Sequence, residues 1–145
     1  MKKYAILLIA VLSLVSISCK EKTAKEKKVN EKLTNKVEVI DFHSTHRCMT
    51  CNAIEANTIH TLETYFSEEL AKNSITFQVI NVDLEENNQI CEKFEATGTA
   101  LFLNVIIDGK ETAHDLTEFA FMNGNDQETF SKELKTKLKL ALADL

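Results

Sequence analysis

The chain has 145 residues and a formal charge of −5, from 22 acidic and 17 basic side chains. An acidic balance of this size argues against a nucleic-acid partner, whose phosphates call for a basic face. Residues 36–145 are enough for one small domain with a single core.

The N-terminus reads as an export signal. Met1-Lys2-Lys3 is a short basic start, Tyr4 to Ile17 is almost wholly apolar, and Ser18-Cys19 closes the run. That layout fits a secretory signal over residues 1–18 and is too short for a membrane span. The ending Leu14-Val15-Ser16-Ile17-Ser18-Cys19 is similar to a bacterial lipobox, with Ser16 where Leu is more usual. The similarity implies that Cys19 becomes the lipidated first residue and ties the protein to a membrane. The expected place is the periplasm or outer membrane of a Gram-negative-type bacterium. Loss of Lys2 and Lys3 leaves 15 basic against 22 acidic side chains, a charge of −7. Lys20 to Asn35 carries six Lys and three Glu, with only Val29 and Leu33 as sizeable apolar residues. Such a run cannot bury enough surface to order itself, so residues 19–35 are expected to form a flexible tether between the lipid and the domain.

Beyond the tether the pattern alternates between strand and helix. Val37 to Phe42 is β-branched with an aromatic end and predicts a strand. Residues from Cys48 to Lys72 predict a helix with Ile54, Leu62, Phe66 and Leu70 on one face and Thr58 in the place the series leaves open. Ile75 to Val82 alternates as a second strand, and a strand, helix and strand in this order make a right-handed parallel crossover. Asp83 to Ala96 predicts a shorter helix with Ile90, Cys91 and Phe94 on one side and Gly98 as its stop. Leu101 to Ile107 is a third strand closed by Asp108-Gly109, a hairpin signal, so that Glu111 to Leu116 pairs back antiparallel. After a loop around Met122-Asn123-Gly124, Asn125 and Glu128 form a capping-box pattern before a last helix striped by Phe130, Leu134, Leu138 and Leu142. The expected fold is α/β, in the order βαβαββα, with helices on both faces of a four-stranded mixed sheet.

The chemistry-bearing residues lie at the first strand-to-helix junction. Cys48 and Cys51 fall in the first turn of the predicted helix, where residues three apart share a face and their sulfurs can meet. Unpaired N–H groups and the positive end of the helix dipole favour a thiolate at Cys48, as do Arg47 and His46 beside it. Cys48 is therefore the expected nucleophile and Cys51 its resolving partner. With Cys19 lipidated, Cys48, Cys51 and Cys91 remain, so at most one pair forms within the domain; Cys91 is expected to be a buried apolar spare.

The element order with Cys-x-x-Cys after the first strand resembles the thioredoxin-like superfamily over nearly everything after Asn35. The run from Asn81-Val82-Asp83 to Cys91-Glu92-Lys93-Phe94-Glu95-Ala96-Thr97-Gly98-Thr99 is similar to the one that leads into that family's substrate loop. More narrowly, Phe42-His43 with Arg47-Cys48-Met49-Thr50-Cys51-Asn52-Ala53-Ile54-Glu55 looks like the small exported family described as nitrophenyl compound nitroreductase subunit, ArsF type; no flavin motif accompanies it. The resemblance implies thiol-disulfide exchange with the thiols or disulfides of exported partner proteins and no cofactor. It also implies that Asp41 falls near the buried acid of thioredoxins and accepts the Cys51 proton. Three departures stand against it. The chain has no proline, so Ala100 replaces the family's cis-Pro and a trans bond is expected in the Thr99-Ala100 substrate loop. His46-Arg47 replaces the usual Trp, and the loop from Asp41 to Cys48 is one residue longer.

Two other readings use the same cysteines. His43-x-x-His46-x-Cys48-x-x-Cys51 supplies four soft or borderline ligands within nine residues, suited to Zn²⁺, Cu⁺ or a metalloid. A structural disulfide is the other alternative.

Overall fold

The computed structural model describes residues 35–145. The expected signal peptide, Cys19 and the tether lie outside the described residues, apart from Asn35.

The order is β1 (Lys36–His43), α1 (Met49–Tyr65), α2 (Ser67–Ala71), β2 (Ile75–Asn81), a 3-10 turn (Glu85–Asn87), α3 (Asn88–Phe94), β3 (Ala100–Ile107), β4 (Lys110–Asp115), α4 (Thr117–Asn123) and α5 (Gln127–Ala143). The strands form one sheet ordered β2-β1-β3-β4, with β1 parallel to β2 and antiparallel to β3, and β3 antiparallel to β4. This is the four-stranded mixed sheet expected for a thioredoxin-like α/β fold.

Alternation along β1 decides what each face of the sheet buries. Val37 and Val39 point to the face covered by α1 and α5, where Ile54 and Leu62 pack with Phe130, Leu134 and Leu138. Ile40 and Phe42 point to the other face, beneath Cys91 and Phe94 of α3. There Phe42, Phe94 and Phe102 form an aromatic triad with ring centroids 5.2–5.8 Å apart, a spacing at which tilted and edge-to-face contacts are favourable. Asp41 takes the next place after Val37 and Val39 and so falls on the α1 face, fully buried. Thr58 fills its place in the apolar stripe of α1 by returning its hydroxyl to the Ile54 carbonyl at 2.8 Å, so burial leaves no orphaned donor.

Four expectations about boundaries are corrected. The long first helix stops at Tyr65, because Phe66 leaves helical geometry at φ −136° while burying its ring; a separate short helix α2 follows. The helix expected over Asp83 to Ala96 is a 3-10 turn and then α3, and Glu95 at φ 53° ends it rather than Gly98. The segment expected as a loop before the last helix is helix α4, whose first N–H groups include Thr117, bonded to Asp115 at 2.8 Å. The last helix is capped by Asp126, whose Oδ1 accepts from the Thr129 N–H at 3.1 Å, not by Asn125. The hairpin stands as expected, with Asp108 at φ 51° and Gly109 at φ 79° turning β3 into β4.

The link between α4 and α5 is held against the first turns of α1. Asn57, buried on α1, donates its amide to the Gly124 carbonyl at 2.9 Å. A Cβ on Gly124 would lie 2.8 Å from the Ala120 carbonyl oxygen, 3.0 Å from Ile54 Cγ1 and 3.2 Å from Thr50 Cγ2. Because one of those atoms is backbone, the crowding cannot be relieved by a rotamer change. Gly124→Ala is therefore expected to lower stability by about 1–3 kcal/mol in denaturant unfolding, with an unchanged denaturant slope.

Candidate functional site

The C-terminal end of β1 and the residues after it carry the site. Cys48 stands at the N-cap of α1 with extended backbone, φ −76° and ψ 169°, and its Sγ accepts from the Cys51 N–H at 3.2 Å. A sulfur thus does the capping that Ser or Asp usually does. Cys48 and Cys51 are joined as a disulfide with Cα atoms 5.2 Å apart. The two sulfurs are unequal in access: Cys48 is exposed, whereas Cys51 is only 7% exposed. Cys91 is a free, buried thiol whose pKa burial pushes up, as expected for an inert spare.

Arg47 departs from its expected role beside Cys48. Its guanidinium binds Glu55 of α1 in a close ion pair, donates to the Cys51 carbonyl at 3.3 Å, and lies 3.6 Å from Asp41 Oδ2. The charge is therefore engaged with two carboxylates rather than left free for the Cys48 sulfur. Asp41 has no hydrogen bond to either oxygen, and Arg47 Nε is also without one. Burial disfavours the charged form of such a carboxyl most strongly; Arg47 opposes this and Glu55 adds to it, and together they raise the Asp41 pKa from 3.8 to about 7.

The histidines face a different set of partners. His43 is half-buried and its Nδ1–H donates to the Ser44 carbonyl at 3.0 Å, while His46 is exposed. The loop between them is tied to the end of β2: the Thr45 N–H donates to Asp83 Oδ2 at 2.7 Å, and the Asn81 amide donates to Thr45 Oγ1 at 3.0 Å. That bond from Thr45 holds the Asp83 carboxyl below its usual range, with His46 and His43 adding to the effect. Among the described residues, no three His, Cys, Asp or Glu side chains are grouped so as to hold a metal ion. His43, His46, Cys48 and Cys51 are close in sequence but are not gathered into one ligand set.

The expected substrate loop stands at the same end of the sheet as the cysteines. Ala100 opens β3 opposite Phe42, and the neighbouring pair is Leu101 with Asp41. No peptide bond among the described residues is cis, so the Thr99–Ala100 link is trans. Thr99 and Ala100 line an open depression with Phe94, Gly98 and Thr117.

Reading the sequence alone did not find the partnership of Arg47 with Glu55. Eight residues separate them and Arg47 precedes the helix, so no helical spacing signals the contact. The Asp83 bond to the loop was equally hidden, since it joins residues 38 apart in the chain.

Since Asp41 has a higher pKa folded than unfolded, its contribution is present below about pH 4 and is lost as pH rises to about 7. Asp83 and Asp126, whose folded pKa values are lowered, act in the opposite sense and at lower pH. Asp41→Asn is expected to abolish the loss between about pH 4 and 7 and to stabilise the protein at pH 7 by about 1–3 kcal/mol. Denaturant midpoints measured across that range check the sign.

No family model matches the chain, and no curated protein matches it; the narrower resemblance to the ArsF-type family gains no support from either. Among solved structures the chain is similar to one described as the structure of a malarial protein, with 16% identity over 61% of this chain and 96% of that one and a TM-score of 0.39. It is also similar to the thioredoxin of Fasciola hepatica, with 21% identity over 67% of this chain and 80% of that one and a TM-score of 0.39. What the chain itself presents is a four-stranded mixed sheet with a Cys48–Cys51 disulfide at the start of its first helix, an arrangement suited to thiol-disulfide chemistry.

Proposed function

We propose that the domain exchanges disulfides with exported partner proteins through Cys48 and Cys51. The observation that carries this reading is the asymmetry of the pair. One sulfur is open to a visitor at the mouth of a helix, and the other is covered one turn inside. A disulfide that serves structure alone has no need of this arrangement, whereas exchange requires one reachable sulfur and one protected resolving sulfur.

In the reducing direction the Cys48 thiolate attacks one sulfur of a partner disulfide. A bond forms between Cys48 and that sulfur, the partner S–S bond breaks, and the partner's other sulfur leaves as a thiolate. The Asp41 carboxylate then takes the proton of the Cys51 thiol, the Cys51 sulfur attacks Cys48 Sγ, and the second partner sulfur leaves. Two electrons pass from the dithiol to the partner. The partner thiolates take up two protons from solvent, replacing those given up by Cys48 and, through Asp41, by Cys51. The same steps in reverse oxidise a partner dithiol. When the pair is reduced, the Cys51 N–H directed at Cys48 Sγ favours the thiolate at the attacking position. Asp41, with a pKa of about 7, changes state near neutral pH, as a proton acceptor in this step must.

The lipobox-like ending at Cys19 supports an exported, lipid-anchored setting, and the narrower resemblance to the ArsF-type family agrees with export while adding no further chemistry. Thr99 and Ala100 border the end of the sheet that a partner chain approaches, and the trans bond there offers a loop shaped differently from one built on cis-proline.

Replacing the resolving sulfur should stall the reaction at its midpoint. Cys51→Ser is expected to accumulate partners bound through Cys48 and released by dithiothreitol, whereas Cys48→Ser captures none. Failure of Cys51→Ser to capture any partner, or equal capture by the two variants, overturns the exchange reading.

A further inference from the structure

Among the described residues, Arg47 alone touches the Cys51 backbone, the buried acid and a second carboxylate together. It donates to the Cys51 carbonyl at 3.3 Å, lies 3.6 Å from Asp41 Oδ2 and pairs closely with Glu55. Only 18% of its side chain is exposed, and Asp41 is wholly buried, so solvent screens these contacts poorly. The charged groups that act on Asp41 are Arg47 from the loop and Glu55 from α1. One guanidinium thus stands between two carboxylates and makes its shorter contact with the outer one, leaving Asp41 with an ion contact but no hydrogen bond.

We infer that Arg47 is a positioning residue that fixes Cys51 relative to Asp41, and that Glu55 tunes the pair by drawing the guanidinium away from the buried acid. The inference rests on the exchange reading and deepens it, because it concerns only the resolving step. In that step the Cys51 proton moves to the Asp41 carboxylate while the Cys51 sulfur bonds to Cys48 Sγ and the departing thiolate leaves. Arg47 bonds to the Cys51 carbonyl, and so holds the first turn of α1 against the end of β1. Among the described residues it also supplies the positive charge that acts on the acceptor. Glu55, four residues after Cys51 on the same helix, competes for that charge from the solvent side. The attacking step at Cys48 uses neither contact.

Dithiobisnitrobenzoate separates the two steps, because a coloured thiolate is released first when Cys48 attacks and again when Cys51 resolves the mixed disulfide. The experiment uses the reduced full chain with Cys19→Ser and Cys91→Ala, so that only the pair reacts. Arg47→Gln is expected to slow the second phase about tenfold relative to the first, and to move the pH midpoint of the second phase upward. Arg47→Lys should restore part of the rate, since it returns the charge without the fork. Glu55→Gln should move the second-phase midpoint downward. A merely structural role for Arg47 would slow both phases alike and leave the midpoint in place, and that result overturns the inference while exchange itself survives. Absence of any first phase in the parent protein overturns the exchange reading and the inference with it.

Discussion

A carboxyl group sealed within the end of β1 beside Arg47, without a hydrogen bond to either oxygen, is the constraint around which the site is built. Burying a carboxylate is costly unless a partner compensates it or a proton neutralises it. Here the compensation is partial, since Arg47 is near Asp41 but bound more closely to Glu55. The group is consequently poised near neutrality, and a small change in Arg47 or Glu55 is felt directly in its protonation. A fully paired Asp41 would stay ionised, and one with no cation nearby would stay protonated. In the exchange proposed above, either would serve less well as the acceptor of the Cys51 proton near neutral pH.

The same residues explain why the helix start is firmly placed although its loop carries no proline. Arg47 ties the Cys51 carbonyl to the acids on one side, and Thr45 is bonded to Asp83 and Asn81 on the other. Opposite, the α4–α5 link presses Gly124 against Thr50 and Ile54, leaving no room for a side chain. The segment bearing the cysteines is thereby held from three directions, one by its own neighbour Arg47 and two by groups far away in the chain. The exchange proposed above would draw on such support, since a resolving sulfur must meet its target without searching.

The two faces of the sheet divide the work. The α1 and α5 face carries the larger core together with Asp41 and the cysteines, while the α3 face is closed by the aromatic triad and shelters Cys91. A disulfide open to solvent at one sulfur and a buried free thiol therefore coexist in one small domain because they differ in access and in their surroundings. The disulfide caps an open helix terminus with its outer sulfur exposed, whereas Cys91 sits among rings whose burial holds it in the neutral form.

Local pattern was sufficient for much of this protein. Apolar and β-branched runs located three of the strands and period-four spacing the main helices, and Asp108-Gly109 placed the hairpin and with it the polar fourth strand, because those signals depend on near neighbours in the chain. The Cys48–Cys51 pair was legible for the same reason, as three-residue spacing at a helix start brings two sulfurs together. Tertiary structure alone decided the break at Phe66, where burying the ring outweighs continuing the helix, and the shift of the cap to Asp126. It also decided that Arg47 turns inward to Glu55 and Asp41, that His43 bonds the Ser44 carbonyl while His46 stays exposed, and that Gly124 abuts Thr50. Some of these joins lie between segments distant in the chain, as Gly124 against Thr50 does, and others between residues a few places apart that stand outside any regular helical or strand spacing, as Arg47 and Glu55 do; in neither case does periodicity carry a signal.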